Sequence, residues 1–192
     1  LTKESRGATT AFVREDVEGD DVVLSVADQT LFRQVAARAN YLAQDRPDIQ
    51  FSVKEICTHM AEPSENGVRK LKHLARYLVA HPEVELCYPW VNEEALEVID
   101  IFTDSDWAGC RRSRKSTSGG AIMIGSHCLR TYSSTQSTVS LSSGEAEYYG
   151  LVKGAAAGLW HQAIMSDYGI DLPIRLWTDA SAAIGISKRS GV

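Results

Sequence analysis

Three short stretches of this chain carry carboxylates where chemistry is often done. Residues 101–106 form an apolar run that ends on Asp104 and Asp106. Residues 176–179 repeat the pattern and end on Asp179. Residues 141–148 read as the opening of a helix that carries Glu145 and Glu147. Carboxylates that meet need a cation: two unit charges ~4 Å apart repel by roughly 4 kcal/mol at an effective dielectric of 20. A trio must therefore take up protons or bind metal. Oxygen-only ligands favour Mg²⁺ or Mn²⁺ over zinc. A pair of such ions suits phosphodiester hydrolysis, one activating water and the other steadying the leaving oxygen.

Each carboxylate also has a purely structural reading. Asp179 could cap the helix that follows it, since aspartate is a favoured N-cap. Glu145 stands three residues after Ser142, the spacing of a capping box, and that role is the favoured one. Glu145 and Glu147 are two apart on a helix and point about 200° away from each other, so only one can face a site. Glu147 shares a stripe with Leu151 and Gly154 and is expected to face the sheet. Asp106 shares a face with Asp104 if the strand continues, and is a loop residue if the strand stops at Asp104.

Between the first and second carboxylate segments lies a basic, hydroxyl-rich stretch: Arg111, Arg112, Arg114, Lys115 and Ser116, followed by Thr117 and Ser118. Such loops are often only solvated. Beside a carboxylate site, this one is a candidate phosphate clamp. Ser143, at the start of the carboxylate-bearing helix, is a further candidate substrate contact. Trp107, Trp160 and Trp177 read as core residues rather than base-stacking platforms.

These segments must be placed by regular elements. Residues 31–82 show helical periodicity, with breaks near Pro47 and Pro63 and an end before Pro82. The third of these helices, 64–80, crowds Arg69, Lys70, Lys72, His73 and Arg76 on its polar faces. From residue 98 the period changes. Strands are expected at 98–103, 120–125 and 128–133, the middle pair turning at Ser126 and His127, with 139–141 closing the third. A helix at 143–168, a strand at 174–178 and a helix from 181 to 188 follow. Gly150 is a poor residue for that long helix. The order β-β-β-α-β-α implies an α/β fold, a mixed sheet with helices packed on it.

With 192 residues, 44% hydrophobic, the chain can build a core. Its net charge of −5 gives no global positive field. Residues 1–97 hold 11 basic and 17 acidic residues, against nine and eight in the rest, so contacts to nucleic acid must come from local patches. Cys57, Cys87, Cys110 and Cys128 lack C-x-x-C spacing, which speaks against zinc and against a disulfide framework. An intracellular, reducing compartment, cytoplasmic or nuclear, is the simplest reading. No apolar run spans a membrane.

The motif series itself is specific. Residues 103–109 (TDSDWAG), 114–119 (RKSTSG), 141–148 (LSSGEAEY) and 178–182 (TDASA), in that order, resemble the ribonuclease H domain of copia-type retrotransposon Pol polyproteins. Residues 32–53 and 71–78 resemble the segment that joins the reverse transcriptase to that domain. The resemblance implies a ribonuclease H-like mixed sheet and cutting of the RNA strand in RNA–DNA hybrids, leaving a 3′-hydroxyl and a 5′-phosphate. It assigns Asp104, Glu147 and Asp179 to three of the family's four acidic ligands for two Mg²⁺ or Mn²⁺ ions. Its implied partners are the hybrid and the remainder of the reverse transcriptase, with no membrane. The family's fourth carboxylate lies beyond residue 192, so a domain incomplete at its C-terminus is expected. The implied organisation is an acidic linker over 1–30, a helical connection segment over 31–95 and the ribonuclease H-like domain over 96–192. The alternative is an inactive remnant that binds nucleic acid or serves as structure.

Overall fold

The computed structural model describes residues 7–13, 21–92, 96–110 and 112–189. The chain divides into two compact units, Leu1–Glu85 and Leu86–Val192. Glu15, Asp16, Glu18 and Asp20 of the acidic segment lie outside the described residues; Asp21 accepts a hydrogen bond from the Asn66 N–H at 3.0 Å.

The first unit is helical. Helix α1 (Val26–Leu42) begins five residues before residue 31, where periodicity placed it. Its start is set by Ser25, whose Oγ accepts from the Asp28 N–H, and by Leu24, whose N–H bonds the Pro63 carbonyl. Pro47 opens a single 3₁₀ turn (Pro47–Ile49), and α2 (Gln50–Cys57) follows it directly. Helix α3 (Glu65–Ala80) is capped by Ser64. Phe32, Ala36, Ile49, Val53, Ile56 and Leu74 form the core. Arg46 is buried among the helices and fully used. Its guanidinium grips the Asp48 carboxylate at 2.8 and 2.9 Å and donates to the His81 and Pro82 carbonyls at 3.0 and 3.2 Å. Tyr77 Oη donates to the same carboxylate at 2.9 Å.

The second unit is a four-stranded mixed sheet in the order β3-β2-β1-β4, with β1 (Ile99–Asp106), β2 (Thr117–Ile124), β3 (His127–Thr135) and β4 (Ile174–Trp177). Helices α4 (Ser143–Asp167) and α5 (Ser181–Ser187) complete it. This is the expected α/β architecture, and it is compatible with a ribonuclease H-like fold. The first three strands meander antiparallel, and α4 crosses over to bring β4 parallel to β1. The hairpin between β2 and β3 turns at Gly125, whose φ of +56° suits a residue without Cβ. Strand β1 continues to Asp106, and β2 begins at Thr117 rather than at 120. The rungs Asp104–Gly119, Ser105–Ser118 and Asp106–Thr117 are paired. Residues 139–141 are not strand, because the Leu141 N–H is taken by Glu145.

Ile99, Ile101, Ile122, Ile124 and Leu172 form the core on the α4 side of the sheet. Helix α4 comes close to β1 because it lacks side chains there. A Cβ at Gly154 would lie 2.4 Å from Thr103 Cγ2, and one at Gly158 would lie 2.1 Å from Ile101 Cδ1. The three tryptophans expected in the core are exposed instead, at 48% (Trp107), 55% (Trp160) and 45% (Trp177). Trp177 lies on the sheet face away from α4, stacked on Phe102 with centroids 6.0 Å apart. Among the described residues, no helix is long and apolar enough to cross a membrane.

Candidate metal centre

The sheet register brings two aspartates to one edge. The last parallel rung between β1 and β4 is Phe102–Trp177. Asp104 and Asp179 each stand two residues beyond it, at the carboxyl ends of parallel strands, where open α/β sheets place ligands. Thr103 Oγ1 ties this end together by donating to the Trp177 carbonyl at 3.1 Å. The structural alternative for Asp179 is not used: α5 is capped at Ala180 without a side-chain bond.

Helix α4 supplies the third carboxylate. Ser142 caps it, accepting from the Glu145 N–H at 3.1 Å, and Glu145 Oε2 returns to the Leu141 N–H at 2.7 Å. Glu145 is thus occupied in the capping box, reaching one residue further back than the motif usually does. Glu147 points the other way, onto β1. It stands two turns before Gly154, so the close approach of α4 to β1 also sets its position. Its Oε1 accepts the Ser105 N–H at 3.1 Å, and its Oε2 is buried with no hydrogen-bond partner.

One oxygen each from Asp104, Glu147 and Asp179 lies within 4.8 Å of the others. Asp104 and Asp179 are exposed, and Glu147 is half-buried. Burial raises the Glu147 carboxyl above the ordinary glutamate value, and the Asp104 and Asp179 charges add to this; the Ser105 N–H offsets only part. A divalent cation fits this arrangement. It would relieve the repulsion among the three charges, and an all-carboxylate set suits a hard ion.

The other sequence candidates fall into two groups. Arg112 and Arg114 are exposed and Lys115 is half-buried, in the turn between β1 and β2 at the same end of the sheet as Asp104. Arg114 closes that turn with a φ of +56°, its N–H bonding the Cys110 carbonyl at 2.7 Å. Arg111 lies outside the described residues. Ser143 is exposed on the first turn of α4. Ser116 does not face the surface. It is fully buried, and its Oγ accepts the Ala108 N–H at 3.0 Å, so it holds the turn together instead of reaching a phosphate. Asp106 shares the strand face of Asp104 but contributes no oxygen to the cluster.

Gln136 was missed by sequence reasoning. Its amide is buried and joins β1, β2 and the first turn of α4, the elements around Asp104 and Glu147. Nε2 lies 3.3 Å from Ser105 Oγ, 2.9 Å from Ser118 Oγ and 2.9 Å from the Ala146 carbonyl, while Oε1 accepts from Ser140 Oγ at 3.0 Å. The only local hint was a glutamine set in a run of serines and threonines.

The chain is 34% identical over 139 residues to an uncharacterized mitochondrial protein, AtMg00810, of Arabidopsis thaliana; the match covers 72% of this chain and 57% of that protein. It is 31% identical over 147 residues to the Retrovirus-related Pol polyprotein from transposon RE1, and 30% over 145 residues to that from transposon RE2, both of Arabidopsis thaliana. Those matches cover 77% and 76% of this chain and 10% of each polyprotein. The chain therefore spans little more than half of one relative and about a tenth of the others. No family model matches it, and no solved structure matches it.

Proposed function

We propose that this chain, a homologue of retrovirus-related Pol polyproteins from transposons, carries in its second unit a metal-dependent nuclease centre that cuts the RNA strand of RNA–DNA hybrids. The observation behind this reading is the convergence of Asp104, Glu147 and Asp179, with one Glu147 oxygen buried and unpartnered. Such a group must take up a proton or bind a cation, and a divalent cation would offset all three charges at once.

Asp104, Glu147 and Asp179 would hold Mg²⁺ or Mn²⁺, in a two-ion arrangement that supplies an activated water and charge stabilisation for the leaving oxygen. In the reaction an oxygen–phosphorus bond forms from water and the bond to the 3′-oxygen breaks. The 3′-oxygen leaves with a proton, and the phosphate stays on the 5′ side of the next nucleotide. Glu147 is fixed by the Ser105 N–H and by the capped first turn of α4, so its carboxylate needs little reorganisation. Arg112, Arg114 and Lys115 offer phosphate contacts at the same end of the sheet, and Ser143 sits at the helix start. The first unit, with Arg69, Lys70 and Lys72 on α3, would serve as the connection to the rest of a reverse transcriptase and help cradle the hybrid.

The test is cleavage of a labelled RNA–DNA hybrid in Mg²⁺ and in Mn²⁺, by this chain, by a chain extended into its polyprotein context, and by Asp104→Asn of each. Cutting that Asp104→Asn abolishes supports the reading. Folded parents that bind hybrid without cutting it leave the inactive binding module in its place.

A further inference from the structure

A second group of charged and aromatic side chains lines the seam between the edge strand β3 and helix α4. On the α4 side of the sheet, β3 presents Arg130, Tyr132 and Ser134 at alternate positions, paired with Ile122, Gly120 and Ser118 of β2. Helix α4 meets them with Lys153 and Trp160. Lys153 Nζ lies 5.1 Å from the Tyr132 ring centroid and donates to Ser134 Oγ. The Arg130 guanidinium lies 5.9 Å from the Trp160 ring centroid. Two cations and two rings therefore line one seam.

This seam has features that packing alone leaves unexplained. Among the described residues, neither Arg130 nor Lys153 has a carboxylate partner. The Lys153 ammonium is held below its ordinary pKa by burial and by the Arg130 charge. Like charges held together without a counter-ion complement an anion. Trp160 is 55% exposed, so one aromatic surface is offered outward. Tyr132 Oη is buried without a hydrogen-bond partner.

The seam shares a sheet rung with the metal centre, its middle residue Ser118 covered by α4. Ser134, Ser118 and Ser105 form one rung across the sheet, and the Ser105 N–H holds Glu147. From Arg130 to Ser134 the strand rises about 13 Å.

We propose that the β3–α4 seam carries the phosphodiester backbone of a hybrid strand running to or from the carboxylate centre. Arg130 and Lys153 contact phosphates, and Trp160 packs on a base or sugar. The assignment of the occupant rests on the nuclease reading above. Charge complementarity favours a polyanion, and the shared sheet rung and helix α4 that link the seam to the centre favour the centre's own substrate.

The experiment is fluorescence anisotropy of a labelled RNA–DNA hybrid with the whole chain, in EDTA, over a range of NaCl concentrations. Parent, Arg130→Gln/Lys153→Gln, Lys153→Arg, Trp160→Leu and Asp104→Asn are compared, each checked for folding by circular dichroism. Removing one cation from a phosphate lowers the salt slope by about 1, so the double variant should show a slope smaller by about 2. Lys153→Arg should keep the parent slope, since it keeps the charge. Trp160→Leu should bind more weakly at an unchanged slope. If the double variant fails to fold, Arg130→Gln alone should lower the slope by about 1. A parental slope in the folded neutral variants overturns the proposal. So does an equal weakening on heparin, which would make the seam a generic polyanion site. Because EDTA prevents metal-dependent cutting, a seam that binds beside a centre that never cuts sinks only the nuclease reading. A seam that does not bind beside a centre that cuts sinks only this one.

Discussion

The two units handle buried charge in opposite ways. In the helical unit, Arg46 and Asp48 cancel, and Tyr77 and two backbone carbonyls take up the remaining hydrogen bonds. The Arg46 hydrogen bonds outweigh the cost of burial and hold the Asp48 carboxyl below its usual range. In the sheet unit, three carboxylates converge, one oxygen is buried without a partner, and the Glu147 carboxyl is pushed up. One arrangement is complete as it stands. The other stores repulsion that a cation would relieve. Charge that the fold leaves unbalanced is therefore a better pointer to function than charge alone.

The contrast is tested most severely by breaking the balanced side. Arg46→Ala would leave the Asp48 carboxylate without its counter-charge and two carbonyls without donors. Removing one partner of a buried pair costs about 3–5 kcal/mol. Asp48 keeps some solvent access, which points to the lower end. All four tryptophans, Trp90, Trp107, Trp160 and Trp177, lie in the second unit. Urea unfolding followed by hydrogen exchange in residues 26–80 should shift strongly, while tryptophan fluorescence should shift far less.

On the unbalanced side, Gln136→Leu removes the amide that ties Ser105, Ser118, Ser140 and the Ala146 carbonyl together. Each buried polar group left unsatisfied costs about 1–3 kcal/mol. Serine hydroxyls can turn to one another, so a net loss of about 2 kcal/mol is expected. The informative readout is Mn²⁺ affinity at a temperature where the variant is folded. Gln136 supports Glu147 only indirectly, through Ser105, so a weakening at the lower end of the usual range, about 10-fold, is expected. Unchanged affinity in a destabilised variant would limit Gln136 to holding the fold.

The legibility of these features in the sequence followed how local their causes are. Asp104, Glu147 and Asp179 could be picked out because each sits at a strand end or helix start, and those boundaries show in short-range pattern. The separation of Glu145 from Glu147 came from helical geometry alone. The first half of β2, Thr117–Gly120, read as loop because serine and glycine are poor strand formers. Its pairing with β1 made it strand. The early start of α1 depends on a cap and on a bond to Pro63, which periodicity does not register. The burial of Gln136 and Ser116 and the exposure of three tryptophans are tertiary outcomes. They depend on which sheet face a helix covers, and no window of residues contains that.

Packing provides a finer comparison. The helical unit fills most of its core with side chains, with Gly67 of α3 set against Phe32, whereas α4 docks on β1 through repeated glycines. Gly154→Ala would force its new methyl against Thr103 Cγ2, and overpacking of this kind costs about 1–3 kcal/mol. Gly150→Ala meets nothing closer than 3.7 Å, so helix propensity should dominate and the protein should gain about 1 kcal/mol. Opposite signs one turn apart, read by thermal unfolding of the tryptophan signal, would confirm that only part of the glycine stripe is needed for close approach. Loss of stability at both positions would show that Gly150 is also required.

The smallest effect separates the two units by pH. Asp48 has a depressed folded pKa, so its contribution is present above the ordinary aspartate range and is lost as pH falls through the folded value. Glu147 has a raised folded pKa. Without metal, the sheet unit is therefore best off below the ordinary glutamate value of 4.5 and loses stability as pH rises through the folded value. Glu147→Gln, measured in EDTA, should raise the melting temperature of the tryptophan signal by a few degrees at pH 7 and leave it unchanged near pH 4. The helical unit should show no matching gain. Mg²⁺ should then stabilise the parent by binding only its folded state, and stabilise the variant less. A variant no more stable than the parent at pH 7 would mean that solvent already relieves the three charges. The buried oxygen would then lose its value as a sign of a missing cation, and the contrast between the two units would narrow to hydrogen bonding.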